Sequence, residues 1–405
     1  MRIGVDAACL ANGRGYGRFT RELLGALVES AREHRFVLYA DSASREAVQL
    51  DAPNVQIVHV AQNVPPARAA AADGYRSPAD MLRLTRAVWR DRPDVFWSPS
   101  VYTYFPLPPG QPSLITIHDT ITERFPELTM PSKRAQLFWK AKVQLALWQA
   151  TLVLTVSEFA AREIEAVLGV SRDRLRVAGE AAAPIFTPGT AAEAGEAARA
   201  AGVPPGAPWF TYVGGFTPHK HVDRIVRAHA VLVAEAIARA APIPHLVLVG
   251  TTSADNFHGV GSGINEAISQ CGTSEFVKWT GYMPDDELRL LLTGTSALVL
   301  PSENEGFGLP AVEAAACGAP VVATTASPLP QLLEGGGFFV APGDVDALVV
   351  AMRTLLDAEE RARFGRVALE RASRLTWRTS ARATLAALHD VVALARGASP
   401  VPAVS

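Results

Sequence analysis

Short apolar runs of strand-forming residues alternate along the chain with longer segments of helical periodicity. The first series of runs covers residues 3–5, 36–39, 55–60, 95–97, 114–117 and 152–156. A second series covers residues 210–213, 246–249, 277–279, 297–300, 321–323 and 338–340. Strands that alternate with helices predict βαβ units and parallel sheets. We therefore expect an α/β protein with two Rossmann-like domains facing each other across a cleft, with ligands beyond the carboxyl ends of the strands.

A segment rich in Ala, Gly and Pro, residues 188–208, separates the two series and predicts the domain boundary. We expect an N-terminal domain over residues 1–190, a C-terminal domain over residues 205–375, and a C-terminal helix and tail over residues 376–405. Residues 398–405 lack periodicity, and we expect them to be frayed.

Size and composition exclude several classes of protein. The 405 residues exceed what one hydrophobic core supports, and 49% hydrophobic with 19% charged residues is typical of ordered globular proteins. Lys and Arg total 38 against 40 Asp and Glu, which argues against a broad basic face for nucleic acid. Cys9, Cys271 and Cys317 have no paired spacing, which argues against a disulfide framework or a structural zinc site and favours a reducing compartment.

No apolar run is long enough for a membrane span, and the first residues lack the layout of a signal peptide. We expect the chain to be cytoplasmic, with contact with the inner face of the membrane left open. Segment 132–150 bears on this point because it is basic and amphipathic, and such a helix can lie on an anionic membrane. We favour the more common interpretation, in which Phe138, Ala141, Leu145 and Trp148 form a core stripe.

The most specific segment, residues 302–320, reads SENEGFGLPAVEAAACGAP. Gly306 and Gly308 let the backbone approach a ligand closely. The main-chain N–H groups of Phe307, Gly308 and Leu309 stand at the start of a predicted helix, where they can bind an anion. The segment therefore predicts a site for a sugar phosphate.

Two glutamates frame this loop: Glu305 precedes the helix, and Glu313 lies about one turn inside it. One carboxylate can bind sugar hydroxyls and the other a ribose; the alternative is one capping and one surface glutamate. This E-x7-E pattern, with GFGLP inside it, resembles the retaining glycosyltransferases of family 4. The resemblance implies the GT-B fold, an acceptor side in the N-terminal domain and a nucleotide-sugar donor side in the C-terminal domain.

The resemblance extends over nearly the whole chain. Its further segments are 13–18 (GRGYGR), 118–119 (HD), 156–158 (VSE), 212–220 (YVGGFTPHK) and 375–377 (LTW), where the tail crosses back to the N-terminal domain. It implies transfer of a hexose from a GDP- or UDP-linked sugar to a glycan, lipid-linked or small-molecule hydroxyl. It implies no separate cofactor and a place in polysaccharide biosynthesis.

Lys220 follows a strand and the turn Gly214-Gly215, where its charge can stabilise a leaving diphosphate. The alternative is a solvated loop lysine. Many family members carry an arginine at the position of Gly215, and the resemblance places both glycines against the donor phosphates. Three nearby residues are candidates for the missing cation: His219, His221 and Arg224.

His118 ends an apolar run, and the resemblance places it beside the transferred sugar, whereas the alternative is a histidine bonded to backbone. Gly15 and Gly17 form a strand-to-helix turn that we expect to contact the donor phosphates or the acceptor. The resemblance places Tyr282 and Met283 against the nucleotide base, whereas the alternative is a plain helix entry. The predicted catalytic residues are His118, Lys220 and Glu305.

Asp344 and Asp346 spell DxD, the metal motif of the other large glycosyltransferase fold. Because Pro342 and Gly343 introduce a predicted helix, we interpret Asp344 as its N-cap and predict no metal site.

Three other function classes stay open on the residues alone. They are a nucleotide-sugar epimerase or hydrolase on the same fold, an NAD-dependent oxidoreductase, and a noncatalytic nucleotide-sugar-binding protein. The missing GxGxxG fingerprint disfavours NAD. A noncatalytic role is disfavoured by four intact residues: His118, Lys220, Glu305 and Glu313. The sequence leaves the sugar, the base, the acceptor, the linkage and the oligomeric state open. Tyr102, Tyr104 and Phe105 are candidate acceptor contacts, and packing within an aromatic loop explains them equally well.

Overall fold

The computed structural model describes residues 1–13, 15–47, 50–63, 76–130, 132–251 and 260–397. The chain divides into two compact units: unit 1 comprises Met1–Glu180 and Trp377–Ser405, and unit 2 comprises Ala181–Thr376. Arg14 of the predicted Gly-rich loop and the tail 398–405 lie outside the described residues.

Unit 1 is built on one parallel sheet. Its strands are β1 (Arg2–Asp6), β2 (Arg35–Ala40), β3 (Val55–His59), β4 (Val95–Ser98), β5 (Ser113–Thr116), β6 (Leu152–Thr155) and β7 (Leu175–Val177). They lie in the order β3-β2-β1-β4-β5-β6-β7. Every residue of β4, β5 and β6 is buried, so their sequences are continuous apolar or small-residue runs rather than alternating ones.

Helices cover the sheet of unit 1. They are α1 (Gly15–Ser30), α2 (Ser42–Ala47), α3 (Pro78–Asp91), α4 (Ile121–Arg124), α5 (Pro126–Thr129), α6 (Lys133–Gln149) and α7 (Glu158–Leu168). The starts of α3, α6 and α7 are fixed by serine N-caps, whose hydroxyls accept the N–H of the residue three positions on.

Unit 2 contains a second parallel sheet. Its strands are β8 (Trp209–Val213), β9 (His245–Val249), β10 (Val277–Gly281), β11 (Ala297–Leu300), β12 (Val321–Thr324) and β13 (Gly337–Val340), in the order β10-β9-β8-β11-β12-β13. Its helices are α8 (Ala191–Ala200), α9 (Val222–Ala238), α10 (Val260–Cys271), α11 (Asp285–Gly294), α12 (Leu309–Ala316), α13 (Leu329–Leu332), α14 (Val345–Thr354) and α15 (Ala358–Ser373). The last helix, α16 (Trp377–Ala395), belongs to unit 1 and packs against α1.

All the predicted runs form strands, which confirms the α/β class and the Rossmann-like parallel sheets. The strand that the sequence does not predict is β7. It has three residues, is centred on the half-buried Arg176 and lies at the edge of the sheet. A short edge strand carries too few apolar residues for a periodicity to be recognised.

The division after Glu180 precedes the boundary expected within residues 188–208. That Ala-rich segment contains α8, which begins with a capping box formed by Thr190 and Glu193. α8 packs against α11. The segment rich in Ala, Gly and Pro therefore contains a helix of unit 2 as well as a connection between the units.

The predicted core stripe on α6 is wrong. Phe138 is 51% exposed, Leu145 53% and Trp148 84%, whereas the residues that pack in the core are Trp139, Val143, Ala146 and Leu147. Both faces of α6 are apolar, so its periodicity alone does not identify the buried face. Within the described ranges, no helix combines the length and the hydropathy needed to cross a bilayer.

Asp344 caps α14 as predicted: its Oδ1 accepts the N–H of Ala347 at 2.9 Å. Its carboxylate is therefore committed to the helix start.

Candidate active site

The central strands of unit 2, β8 and β11, lie side by side, and the sheet continues to β9 and β10 on one side and to β12 and β13 on the other. The chain therefore leaves β8 and β11 in opposite directions, which is the topological switch point where open α/β sheets bind ligands. The loop after β8 (214–221) and the loop after β11 (301–308) both start at this edge, and both were singled out in the sequence.

Lys220 and Glu305 join these two loops. Lys220 Nζ donates to Glu305 Oε1 at 2.6 Å, and Ser302 Oγ donates to the same oxygen at 2.6 Å. The Lys220 side chain is 19% exposed and that of Glu305 is 10% exposed. The ammonium is therefore oriented in advance and still accessible, which reduces the reorganisation needed when an anion arrives.

A second set of contacts connects the same loops. His221 Nε2 lies 2.6 Å from Glu303 Oε2, and the Glu303 N–H donates to the His219 carbonyl at 2.8 Å. His221 adopts φ 50°, in the left-handed region, between the 3₁₀ turn Pro218–Lys220 and α9. These contacts hold the backbone on both sides of Lys220 against the β11 loop.

The three candidates for a second cation differ in their surroundings. Burial, with Lys220 and His221 nearby, lowers the pKa of His219 to about 3, so this imidazole is neutral at physiological pH. His221 is engaged by Glu303. Arg224 Nη1 is buried without a hydrogen-bond partner among the described residues and lies beside Gly343. His219 therefore does not supply the charge that an arginine at position 215 would carry.

The main chain at the ends of β8 and β9 is too closely packed for side chains. A Cβ at Gly250 would lie 2.1 Å from the carbonyl oxygen of Gly214, and the two residues have φ 150° and 152°. The Gly214 N–H donates to the Val249 carbonyl at 3.0 Å, and the Tyr212 hydroxyl donates to the Gly215 carbonyl at 2.5 Å. Packing therefore requires glycine at 250, and the positive φ favours glycine at 214, whereas a Cβ at Gly215 would meet nothing within 4 Å.

The β11 loop ends at the start of α12. Gly308 takes φ 86°, and a Cβ there would lie 2.7 Å from Leu329. Pro310 occupies the first turn of the helix, as predicted. The first N–H groups of a helix lack intrahelical partners and stand at its positive end, so this turn suits an anion.

Glu313 lies one turn inside α12 and is 3% exposed, which excludes the alternative of a surface glutamate. Burial, and then the nearby Glu313, raise the pKa of the Cys317 thiol to about 12. Gly306 and Phe307 are also buried, so the whole β11 loop is packed between the sheet and the helix.

Tyr282 and Met283 follow β10, after Gly281 at φ 72°. The Tyr282 side chain is 71% exposed. Their contact with a nucleotide base stays a prediction.

In unit 1, β1 and β4 form the corresponding switch point. Tyr16, at the start of α1, stacks on Tyr102, which follows β4, with 5.4 Å between ring centroids and 16° between planes. A Cβ at Gly17 would lie 1.9 Å from the Asn12 carbonyl oxygen, whereas one at Gly15 would meet nothing within 4 Å. Packing therefore requires glycine at 17, while Gly15 is exposed and open to a ligand.

His118 follows β5 and is held on three sides. Its Nε2 donates to the Pro99 carbonyl at 3.0 Å, and its Nδ1 lies 3.7 Å from Glu180 Oε1. Phe19 contacts the ring edge-on, at 4.7 Å between centroids. His118 is therefore hydrogen-bonded to the backbone, as the alternative interpretation of the sequence expected. In addition, the buried carboxylate of Glu180 faces its second ring nitrogen.

A small pocket lies beside His118, with Tyr102, Glu123 and Trp139 among its lining residues. Trp139 Nε1 donates to Glu123 Oε1 at 2.7 Å; burial raises the pKa of Glu123 to about 7, although this hydrogen bond lowers it. Lys142 Nζ donates to the Tyr102 carbonyl at 2.6 Å, and burial lowers its pKa to about 8. The pocket region therefore contains a carboxyl and an amine that titrate near neutral pH.

Two family models match the chain. The model described as Glycosyltransferase Family 4 matches residues 13–179, and the model described as Glycosyl transferases group 1 matches residues 195–371. The first lies within unit 1 and the second within unit 2, and together they cover every strand of the two sheets except β1. The chain belongs to glycosyltransferase family 4.

Curated relatives agree with this family 4 assignment. The O-antigen chain mannosyltransferase B of Escherichia coli is 28% identical over 313 residues, which are 75% of this chain and 77% of that protein. Matches to D-inositol 3-phosphate glycosyltransferases of several bacteria are shorter and span less than half of those proteins.

Solved glycosyltransferases share the fold of this family 4 chain, which confirms the GT-B architecture. Sucrose-phosphate synthase from Thermosynechococcus elongatus superimposes with a TM-score of 0.76 at 20% identity, covering 97% of this chain and 100% of that one. HepE of Anabaena, solved with UDP-glucose, gives 0.72 at 18% identity, covering 96% and 99%.

The structure brings most of the predicted donor residues of this family 4 protein together in unit 2. The β8 and β11 loops and α12 carry Gly214, Gly215, Lys220, Glu305, Gly306, Phe307, Gly308, Leu309 and Glu313. Tyr282 and Met283 follow β10 of the same sheet, while Gly15, Gly17 and His118 belong to unit 1.

Sequence reasoning missed several partners of these residues. Ser302 and Glu303 precede Glu305 in the chain, and a polar cluster at a strand end was the signal for them. No sequence pattern pointed to Glu180 or Glu123. Their partners, His118 and Trp139, are distant in the sequence and become neighbours only in the folded chain.

Replacing Gly17 with Ala is expected to lower the free energy of unfolding by about 1–3 kcal/mol, because the new Cβ must displace the Asn12 carbonyl. Urea denaturation measures this change. The matched Gly15→Ala variant has room for its Cβ and should unfold within about 0.5 kcal/mol of the wild type. Equal losses in the two variants would show that the packing at Gly17 is not the cause.

The stability of the protein is expected to depend on pH through Glu123. A carboxyl whose pKa is raised on folding stabilises the native state fully below its unfolded value of 4.5, and this contribution is lost as pH rises through about 7. In Glu123→Gln, which keeps an acceptor for Trp139, that loss of up to about 3 kcal/mol should disappear. Denaturation at a series of pH values measures it, with the exposed Glu127→Gln as control. Parallel pH profiles of wild type and Glu123→Gln would refute the assignment.

Proposed function

We propose that this family 4 enzyme is a retaining hexosyltransferase that uses a UDP- or GDP-linked sugar and glycosylates a hydroxyl group of a glycan, a lipid-linked acceptor or a small molecule. The observation that carries the proposal is the Lys220–Glu305 pair at the switch point of unit 2, beside the start of α12. The name of the Escherichia coli relative and the UDP-glucose complex of HepE support a nucleotide-sugar donor.

The donor diphosphate is assigned to Lys220 and to the N–H groups at the start of α12. Both present positive charge where unit 2 is expected to bind ligands, and Gly215 leaves the backbone of the β8 loop without a side chain. The negative charge on the diphosphate grows as the sugar departs, so these groups stabilise the transition state more than the bound donor. Lys220 and the helix dipole carry this charge in the proposal without a metal ion.

The reaction exchanges one bond at the anomeric carbon for another. The bond from C1 to the β-phosphate oxygen breaks, and its electron pair stays on the nucleoside diphosphate. The acceptor hydroxyl oxygen forms a bond to C1 on the same face, and its proton passes to the departing phosphate oxygen. Attack on the face that the diphosphate leaves preserves the anomeric configuration and needs no covalent protein intermediate.

The remaining residues orient the sugar nucleotide. Glu305 is assigned to sugar hydroxyls, since its carboxylate is already oriented by Lys220 and Ser302. Glu313 is assigned to the ribose, and Tyr282 to the base, because of their places after Gly308 and β10. His118 of unit 1 is assigned to the transferred sugar.

Product analysis with a panel of UDP- and GDP-sugars tests this proposal. Free nucleoside diphosphate is expected only when donor and hydroxyl acceptor are both present. Its release from donor alone would indicate a hydrolase, and conversion of the donor to a stereoisomer would indicate an epimerase. Binding of nucleotide sugars without turnover across a broad acceptor set would favour a noncatalytic role.

A further inference from the structure

One face of α6 exposes a continuous apolar stripe. Leu137 is 71% exposed, Phe138 51%, Leu145 53% and Trp148 84%, and Ala141 lies between them. Residues 137, 141, 145 and 148 recur at helical spacing, so their side chains share one side of the helix. We call these five residues the α6 stripe. Large apolar side chains gathered on one exposed face mark an interaction surface.

The charge of α6 is one-sided. The helix contains four basic residues and no Asp or Glu, in a chain whose formal net charge is -2. Lys133, Arg134 and Lys140 are exposed and make no ion pair or side-chain hydrogen bond with any described residue. Apolar side chains beside unpaired cations are complementary to a layer with an apolar interior and an anionic surface.

An exposed tryptophan elsewhere in unit 1 shows the contrast. Trp89, on α3, is 58% exposed, but its helix also carries Asp80 and Asp91. Asp80 pairs with Arg83, and Asp91 pairs with Arg90, so two of the three arginines of α3 are neutralised within the helix. α6 differs because it exposes several large apolar side chains together with three cations and contains no carboxylate.

We propose that α6 docks this protein on an anionic lipid bilayer, with the α6 stripe inserted among the lipid headgroups. A helix with an apolar face and Lys or Arg beside it lies in the plane of the interface. Trp148 suits this boundary because its ring is apolar and its N–H is polar. The proposal rests on α6 itself and is independent of the assigned reaction.

Docking by this face leaves the opposite side of α6 in place. That side carries Trp139 and Lys142, which contact Glu123 and Tyr102 at the pocket beside His118. The pocket then lies about one helix diameter, roughly 10 Å, from the lipid. No residue of the pocket has to move for the stripe to insert.

Co-sedimentation of the full chain with vesicles tests the proposal. One set of vesicles is phosphatidylcholine alone, and the other contains phosphatidylglycerol as one third of its lipid. We expect the wild type to bind the anionic vesicles and to release them as salt screens the charges. Leu145→Gln/Trp148→Gln should weaken binding at least about tenfold. Lys133→Gln/Arg134→Gln/Lys140→Gln should weaken it about a hundredfold, since each cation near an anionic surface contributes roughly fivefold.

The matched control is Trp89→Gln, which removes an equally large exposed ring from the same unit and should bind as the wild type does. Failure of the wild type to bind anionic vesicles would overturn the proposal, and so would equal loss in Trp89→Gln. Size-exclusion chromatography tests the alternative that a second copy of the chain covers the α6 stripe. If the wild type is a dimer that Leu145→Gln/Trp148→Gln converts to a monomer, the stripe is a contact between copies and the lipid proposal is wrong.

Discussion

Replacing Lys220 with Met is expected to lower kcat by roughly 10²–10³-fold, while the Kd for the nucleotide-sugar donor changes much less. Lys220 Nζ lies at the switch point of unit 2, 2.6 Å from Glu305 and accessible to an anion. The diphosphate gains negative charge as the bond to the sugar breaks, so a fixed cation contributes more in the transition state than in the bound state. Steady-state kinetics and calorimetric titration of donor measure the two quantities.

The controls separate chemistry from folding. Loss of Lys220 leaves the buried Glu305 carboxylate with Ser302 as its remaining side-chain donor, which destabilises the loop. The double variant Lys220→Met/Glu305→Gln removes that unpaired charge and should recover stability without recovering kcat. Lys278→Met removes a lysine of the same unit that donates to the Glu275 carbonyl, and it should keep wild-type kinetics. A Lys220→Met enzyme with normal kcat at saturating donor would show that Lys220 is a structural loop residue.

Replacing Glu313 with Gln is expected to weaken donor binding about 10- to 150-fold, which corresponds to a charged hydrogen bond of about 1.5–3 kcal/mol to the ribose. Glu313 lies one turn inside α12 and is 3% exposed, so a carboxylate is held at a defined position close to the helix start. Isothermal titration with the nucleoside diphosphate alone measures the effect, because the ribose contact does not require the sugar.

Thermal denaturation of Glu313→Gln without ligand gives the structural part of the change. Glu287→Gln removes an exposed glutamate from the first turn of α11 and should leave donor affinity unchanged. If a folded Glu313→Gln protein bound the nucleotide as tightly as the wild type, the ribose assignment would be wrong.

The central strands were predictable because the parallel sheets bury them on both faces. In β4 and β6 every residue is buried, so the runs VFWS and LVLT stand out in the sequence without any alternation. The same reasoning fails for β7, where Arg176 is directed to Asp390 of α16, 214 residues away in the chain. An edge strand held by a distant helix leaves little local pattern.

α6 shows a different limit of periodicity. The residues at 138, 141, 145 and 148 and those at 139, 143, 146 and 147 both recur at helical spacing. What decides between them is the neighbour: Trp139 has Glu123 as a hydrogen-bond partner, and that residue is supplied by α4. Local sequence contains no information on which face a neighbouring helix will cover.

The motifs of the candidate site could be predicted from the sequence, but the hydrogen bonds between them could not. Lys220 and Glu305 are 85 residues apart, and their common position follows from the adjacency of β8 and β11. Motif spacing identifies the two loops, but the bond between them requires the strand order. The lowered pKa of His219 also follows from burial of its side chain. The polar sequence of this loop gives no indication that the histidine is buried.

NMR of the product tests whether a hexose is transferred from a nucleotide sugar with retention of its anomeric configuration. The purified protein is incubated with an α-linked nucleotide sugar and a hydroxyl acceptor, and the anomeric proton of the new glycoside is followed from the first turnover. We expect an α-glycoside formed in step with free nucleoside diphosphate. A β-glycoside as the first product, or release of free sugar with no glycoside, would contradict it.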